Sequence, residues 1–146
     1  MAPFVFRLEQ VRLYRKQLEE QAMQALAEAV MRRDATVARI EGLNEAIAEQ
    51  RARLSQAAAL SAAERWLAQN YASALKQDLV HARELLVEQE NDVDQRRIDL
   101  VQKAQDRNLL DSLKEKQAAR HALQERQKEQ RTNDETATLR YKPAAI

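Results

Sequence analysis

Proline and glycine are nearly missing from this chain: 139 residues separate Pro3 from Pro143, and Gly42 is the sole glycine. Those residue types punctuate folded chains, so their absence excludes a compact domain with many turns. An unbroken helix over that stretch would run roughly 200 Å at about 1.5 Å per residue. Cysteine is absent, which removes any disulfide framework and any thiolate chemistry, and fits a reducing compartment. Aromatic residues make up 4% of the chain, too few for a thick core. Neither charge sign predominates: 24 Lys and Arg stand against 23 Asp and Glu, a net of +1. Without clustered basic excess, counterion-release binding to nucleic acid is not expected. No apolar run approaches the roughly 20 residues of a membrane span. The opening MAPFVFRLEQ has no charged stretch followed by an apolar one, so no signal peptide is expected.

What is there is helix-forming. Apolar residues make up 45%, much of it alanine, and charged residues 32%. That profile suits a long helix or a coiled coil. One stretch reads as a turn, Gln56 to Glu64. Within it Ser61 and Glu64 form an S-x-x-E capping box, in which each side chain serves the other's backbone N–H. The apolar spacing tests that turn independently. Ile40, Leu43, Ile47 and Leu54 are spaced 3, 4 and 7; Leu75, Leu79, Ala82, Leu86, Val93 and Leu100 are spaced 4, 3, 4, 7 and 7. Both are heptad seams. Folding the chain antiparallel about Ser61 makes paired numbers sum to 122. Ile40 then meets Ala82, Leu43 meets Leu79, Ile47 meets Leu75, Leu54 meets Ala68, Ala29 meets Val93 and Ala22 meets Leu100.

The expected fold is therefore all-α, an antiparallel two-helix coiled-coil hairpin whose second helix is the longer. It forms one coiled-coil domain over residues 1–146: helix one about 4–59, turn about 59–62, helix two about 62–137, tail 138–146. Leu18, Ala22 and Leu26 on one side, and Arg96, Leu100 and Ala104 on the other, are 4-4 steps. Such a stutter locally unwinds a supercoil. Arg33, Thr36, Gln50 and Gln89 make the seam polar in places. Glu28 with Arg32, Glu49 with Arg53, Asp92 with Arg96 and Asp99 with Lys103 are i,i+4 pairs on solvated faces. The pairing rule sets Leu8 near Lys114 and Phe4 near Ala118. Beyond that, helix two has no partner, and its Lys114–Glu135 stretch is nearly all polar. A lone helix of that kind is marginal in water.

No catalytic pattern is present. One glycine cannot build a phosphate cradle, and no cofactor is expected. Asp78-x-x-His81-x-x-Glu84 is a single copy of a ligand-like spacing, whereas helical di-iron sites need convergent sets, so no metal is expected. His121 is expected to be solvated in the unpartnered arm. Trp66 and Tyr71 flank the seam near the turn, where exposed aromatics could anchor a partner or cover the seam's end.

Phe4-x-Phe6-Arg7-Leu8-Glu9-x-Val11 with Tyr14-Arg15 resembles the start of the FliJ family of flagellar type III export proteins. Arg107-x-Leu109-Leu110-x-x-Leu113-Lys114-Glu115-Lys116, then Glu129-Gln130 and Asp134-Glu135-x-Ala137, is similar to that family's C-terminal pattern. The resemblance covers the whole chain. It implies a non-enzymatic central stalk, similar to that of rotary ATPases, whose end carrying both termini inserts into the hexameric ring of the export ATPase FliI. It also implies contact with the export gate protein FlhA and with export chaperones. The implied place is the cytoplasm, peripheral at the inner membrane when assembled. Carried over by position, the ring-contacting residues are Arg7, Arg12, Arg15, Arg120, Arg126 and Arg131. The gate contact maps to Trp66, Tyr71, Leu75, Asp78 and Ala82, of which Leu75 and Ala82 also belong to the seam. Two other readings compete: the equivalent stalk of a virulence-type secretion system, and a plain structural or adaptor coiled coil.

Overall fold

The computed structural model describes residues 2–56 and 58–141. It is all-helical: α1 spans Glu9–Gln56 and α2 spans Ala62–Arg140. The two pack against each other as a helical hairpin. The capping box forms as the sequence predicts. The Glu64 N–H donates to the Ser61 hydroxyl at 3.2 Å, and the Ser61 N–H donates to the Glu64 carboxylate at 3.4 Å. Two donors that the first turn would leave unpaired are thus satisfied reciprocally.

Both ends of α1 fall inside the expected bounds. It stops at Gln56 rather than near 59. There the Ser55 hydroxyl donates to the Ala52 carbonyl at 2.8 Å, which occupies an acceptor the helix end leaves open. Alanines on either side give no stop signal to read. It starts at Glu9 rather than near 4 because the preceding segment has another use. Phe6, in non-helical backbone, is buried to 6% exposure. Burying a phenylalanine is worth about 2 kcal/mol. At the other end α2 runs to Arg140 and Tyr141 is non-helical. The remainder of the predicted tail, 142–146, lies outside the described residues, as does Ala57 in the turn.

Contacts divide the chain into two compact units. The turn unit is Glu20–Val101; the terminal unit joins Met1–Glu19 to Gln102–Ile146. In the turn unit the seam is mostly apolar. Ala29, Leu75, Leu79, Ala82 and Val93 are buried; Ile40, Leu43 and Ile47, the expected partners of Ala82, Leu79 and Leu75, are half-buried, as are the paired Ala22 and Leu100. The Gln50 side chain donates to the Ala68 carbonyl, and Arg32 lies 3.6 Å from Asp92. Those numbers sum to 118 and 124, bracketing the predicted 122. Thr36 is also buried; its hydroxyl donates to the Arg32 carbonyl at 3.2 Å. Where the spacing signals a stutter, burial is shared by neighbours, Leu18 with Glu19 and Lys103 with Ala104. Gly42 sits mid-helix, exposed and with no positive φ.

Candidate functional site

The terminal unit holds its helices together differently. Here the seam is ionic. Lys114 reaches the Glu9 carboxylate at 3.0 Å. Glu9 in turn accepts two bonds from Arg12, at 2.8 and 3.1 Å. Arg12 crosses to Asp111 at 3.2 Å, Asp111 accepts from Arg107 at 2.6 Å, and Arg107 donates to Glu19. The result is an alternating chain of six charges, three from each helix. Arg15 adds a separate bridge to Asp106 at 3.4 Å. Charge-assisted bonds of this kind are about twice as strong as neutral ones, and a network exceeds isolated pairs.

The electrostatics follow. Hydrogen bonds from Arg12 and then Lys114 hold the Glu9 carboxyl down to about 2, well under its usual 4.5. For Asp111, partial desolvation works upward, yet the bonds from Arg12 and Arg107 outweigh it and lower its pKa. Arg12 and Arg107 are raised by the same carboxylates, Glu9 foremost for the one and Glu19 for the other.

Beyond this network the expectation of a bare second helix is corrected. The Phe4 ring lies 5.7 Å from the His121 ring, tilted by 52°. His121 is half-buried, not solvated, and Nε2 stands 3.7 Å from the Glu125 carboxylate. The N-terminal segment, with Phe4 and buried Phe6, is the partner that pairing helix against helix could not supply. The covered stretch of α2 therefore extends to Glu125, whose side chain is 16% exposed. From Arg126 to Arg140 every residue but Thr136 is exposed.

These contacts sort the six arginines. Arg12 and Arg15 face carboxylates of α2. Arg7, Arg120, Arg126 and Arg131 are exposed, and no ion pair involves them among the described residues. Arg120 and Arg131, eleven residues apart, share a face of α2 at about 100° per residue, and exposed Lys116 extends that row. Sequence reasoning missed Lys116. It also missed the network, whose cross-helix pairs Glu9–Lys114 and Arg12–Asp111 fall one residue off the pairing rule.

The five residues of the other patch separate. Leu75 and Ala82 are 7% and 2% exposed, sealed in the turn unit's seam. Tyr71 and Asp78 are exposed beside them, and Trp66, 62% exposed, lies about 140° around the helix from Tyr71. His81 and Glu84 are exposed, 3.8 Å apart. Among the described residues no three His, Cys, Asp or Glu side chains converge as metal ligands, and no helix is long and apolar enough to cross a membrane.

The Flagellar FliJ protein family matches residues 4–145, nearly the whole chain. The chain belongs to the FliJ family. The sequence resemblance at both ends thus holds, and with it a flagellar, export-related coiled-coil protein. No curated protein and no solved structure matches the chain. Within this FliJ-family hairpin, the terminal unit combines a self-neutralising ionic seam with an unpaired basic row. The turn unit combines an apolar seam with exposed aromatics.

Proposed function

We propose that this protein is the central stalk of the flagellar export ATPase ring, with the terminal unit entering the FliI hexamer. The observation that carries the reading is that exposed Arg7, Lys116, Arg120, Arg126 and Arg131 enter no ion pair among the described residues, beside a network that neutralises itself. They are the groups available to carboxylates lining a ring. Arg12 and Arg15, already bonded to α2, keep the terminal unit closed and do not reach outward. The turn unit is then the side that meets the export gate protein FlhA, through exposed Tyr71, Asp78 and Trp66; Leu75 and Ala82 stay buried in the seam. Export chaperones are further partners, and the place of action is the cytoplasmic face of the inner membrane. Family membership favours the flagellar system over a virulence counterpart and over a plain adaptor.

The test is the ATPase rate of the cognate FliI titrated with three proteins. The full chain should raise the rate. A chain ending at Glu125, which keeps the Phe4–His121 contact, should lose most of that effect. So should Arg120→Glu/Arg126→Glu/Arg131→Glu. An unchanged rate at every stoichiometry with the full chain returns the protein to the adaptor reading.

A further inference from the structure

The turn unit distributes its charge unevenly. It carries 10 basic and 14 acidic residues, a net of −4, whereas the terminal unit carries 14 basic and 9 acidic, a net of +5. Counting heptads from the half-buried seam, positions b, c and f are those that turn away from the partner helix. On α2 these are sixteen residues between Trp66 and Val101, and all sixteen are exposed. None is Lys or Arg. Every basic residue of α2 in this unit, such as Lys76, Arg83 and Arg97, sits in or beside the seam instead. An outer coiled-coil face ordinarily mixes both signs for solubility.

This face is also apolar at a regular interval. Trp66, Val80, Val87 and Val101 are separated by multiples of seven, with Ile98 three residues before the last. They are 62%, 52%, 58%, 56% and 61% exposed in that order, Ile98 last. Seven-residue spacing is what a docked helix reads. Glu84, Glu88 and Asp94 are interspersed and are the face's only charged groups besides His81, if protonated. The α1 outer face shares the lack of basic charge but offers mainly alanine with six acids, so it lacks anchors.

We infer that the outer face of α2 between Val80 and Val101 docks a basic amphipathic helix of a partner protein. Apolar residues of that helix cover Val80, Val87, Ile98 and Val101. Its Lys and Arg meet Glu84, Glu88 and Asp94. Complementary charge sets partner choice and encounter rate, while the desolvated apolar anchors set dissociation. The inference does not depend on the stalk reading.

A fluorescent label on the peptide reports binding by anisotropy, because Trp66 lies outside the Val80–Val101 footprint. The probe is a helical peptide of about 20 residues, which spans about 30 Å, with leucines at heptad spacing and lysines beside them. A control peptide replaces each lysine by glutamate. The lysine peptide should give a saturating rise in anisotropy and the glutamate peptide should not. Val80→Ser/Val87→Ser, changes on exposed positions, should weaken the lysine peptide about tenfold, the equivalent of losing about 1.4 kcal/mol, with helicity unchanged. Equal response to both peptides, no response to either, or lysine-peptide binding untouched by the double substitution overturns the proposal. So does self-association of the protein without peptide that Val80→Ser/Val87→Ser abolishes, followed by sedimentation, since a second copy would then be the occupant.

Discussion

The Oε1 atom of Gln89 is buried and accepts no hydrogen bond among the described residues. The pairing rule sets it opposite Arg33, which donates to its own neighbour Asp34 at 2.9 Å. An unmet buried acceptor costs on the order of 1–3 kcal/mol. Gln89→Leu should therefore stabilise the protein by about 1 kcal/mol, read as a higher urea midpoint at constant m. Such polar seam residues reduce stability but can fix register, so the same variant should show a broader distribution of hairpin registers by spin-label distances. Glu9 acts in the opposite sense. Its folded pKa lies below its ordinary value, so its contribution is complete above about pH 4.5 and is lost as pH falls toward about 2. In Glu9→Gln, the stability lost between those two pH values should be smaller than in the parent, as measured by chemical denaturation at each pH. An unchanged pH slope contradicts the assignment of Glu9 to the network.

At the scale of elements, α2 is one helix with three environments. Its Leu75–Val93 stretch is seamed against α1, its Arg107–Glu125 stretch is held by ions and by the N-terminal segment, and Arg126–Arg140 stands alone. In the last stretch Thr132, Thr136 and Thr138 donate their hydroxyls back to carbonyls four residues earlier. That bonding competes with helix propagation and weakens it. Amide exchange should consequently be fastest in Arg126–Arg140, slower in the ionic stretch, and slowest around Leu75–Val93. Uniform protection along α2 contradicts that order. The hairpin itself was legible because two unrelated signals, a capping box and a heptad phase, converged on Ser61. Burial at Ala29, Ala82 and Val93 follows from that alone. The role of Phe4 and Phe6 was not legible, because pairing by seam assumes helix against helix, and their segment is not helical. The ionic network was half-legible: the register brings Lys114 near the start of α1, but side-chain reach, not Cα position, selects which carboxylate a lysine takes. The arginine row at Arg120 and Arg131 was visible as residues, but which arginines were already engaged depended on that same reach.

For the molecule as a whole, two kinds of seam imply two responses to salt. Exposed and half-exposed ion pairs are screened at a Debye length of roughly 8–10 Å near physiological ionic strength, whereas excluded salts such as sulfate strengthen apolar burial. Sulfate should raise protection in the turn unit while sodium chloride lowers it in the terminal unit, followed by exchange mass spectrometry on the full chain. A shift of both units in the same direction under sodium chloride contradicts the division.

The hairpin also has a built-in order of assembly. From the turn outward, cross-helix contacts lie at increasing separation along the chain, 18 residues for Gln50–Ala68 and 99 for Arg12–Asp111. Closing the distant pair first would fix a long loop for one bond; once the near pairs exist, each further pair closes only a short remaining loop. Folding therefore starts at Ser61 and ends at the ionic network. Ser61→Ala should slow refolding, and Asp111→Asn should chiefly speed unfolding, since a change outside the nucleus acts on that limb. Stopped-flow chevrons of the two variants distinguish this from nucleation at the termini, which would exchange their effects.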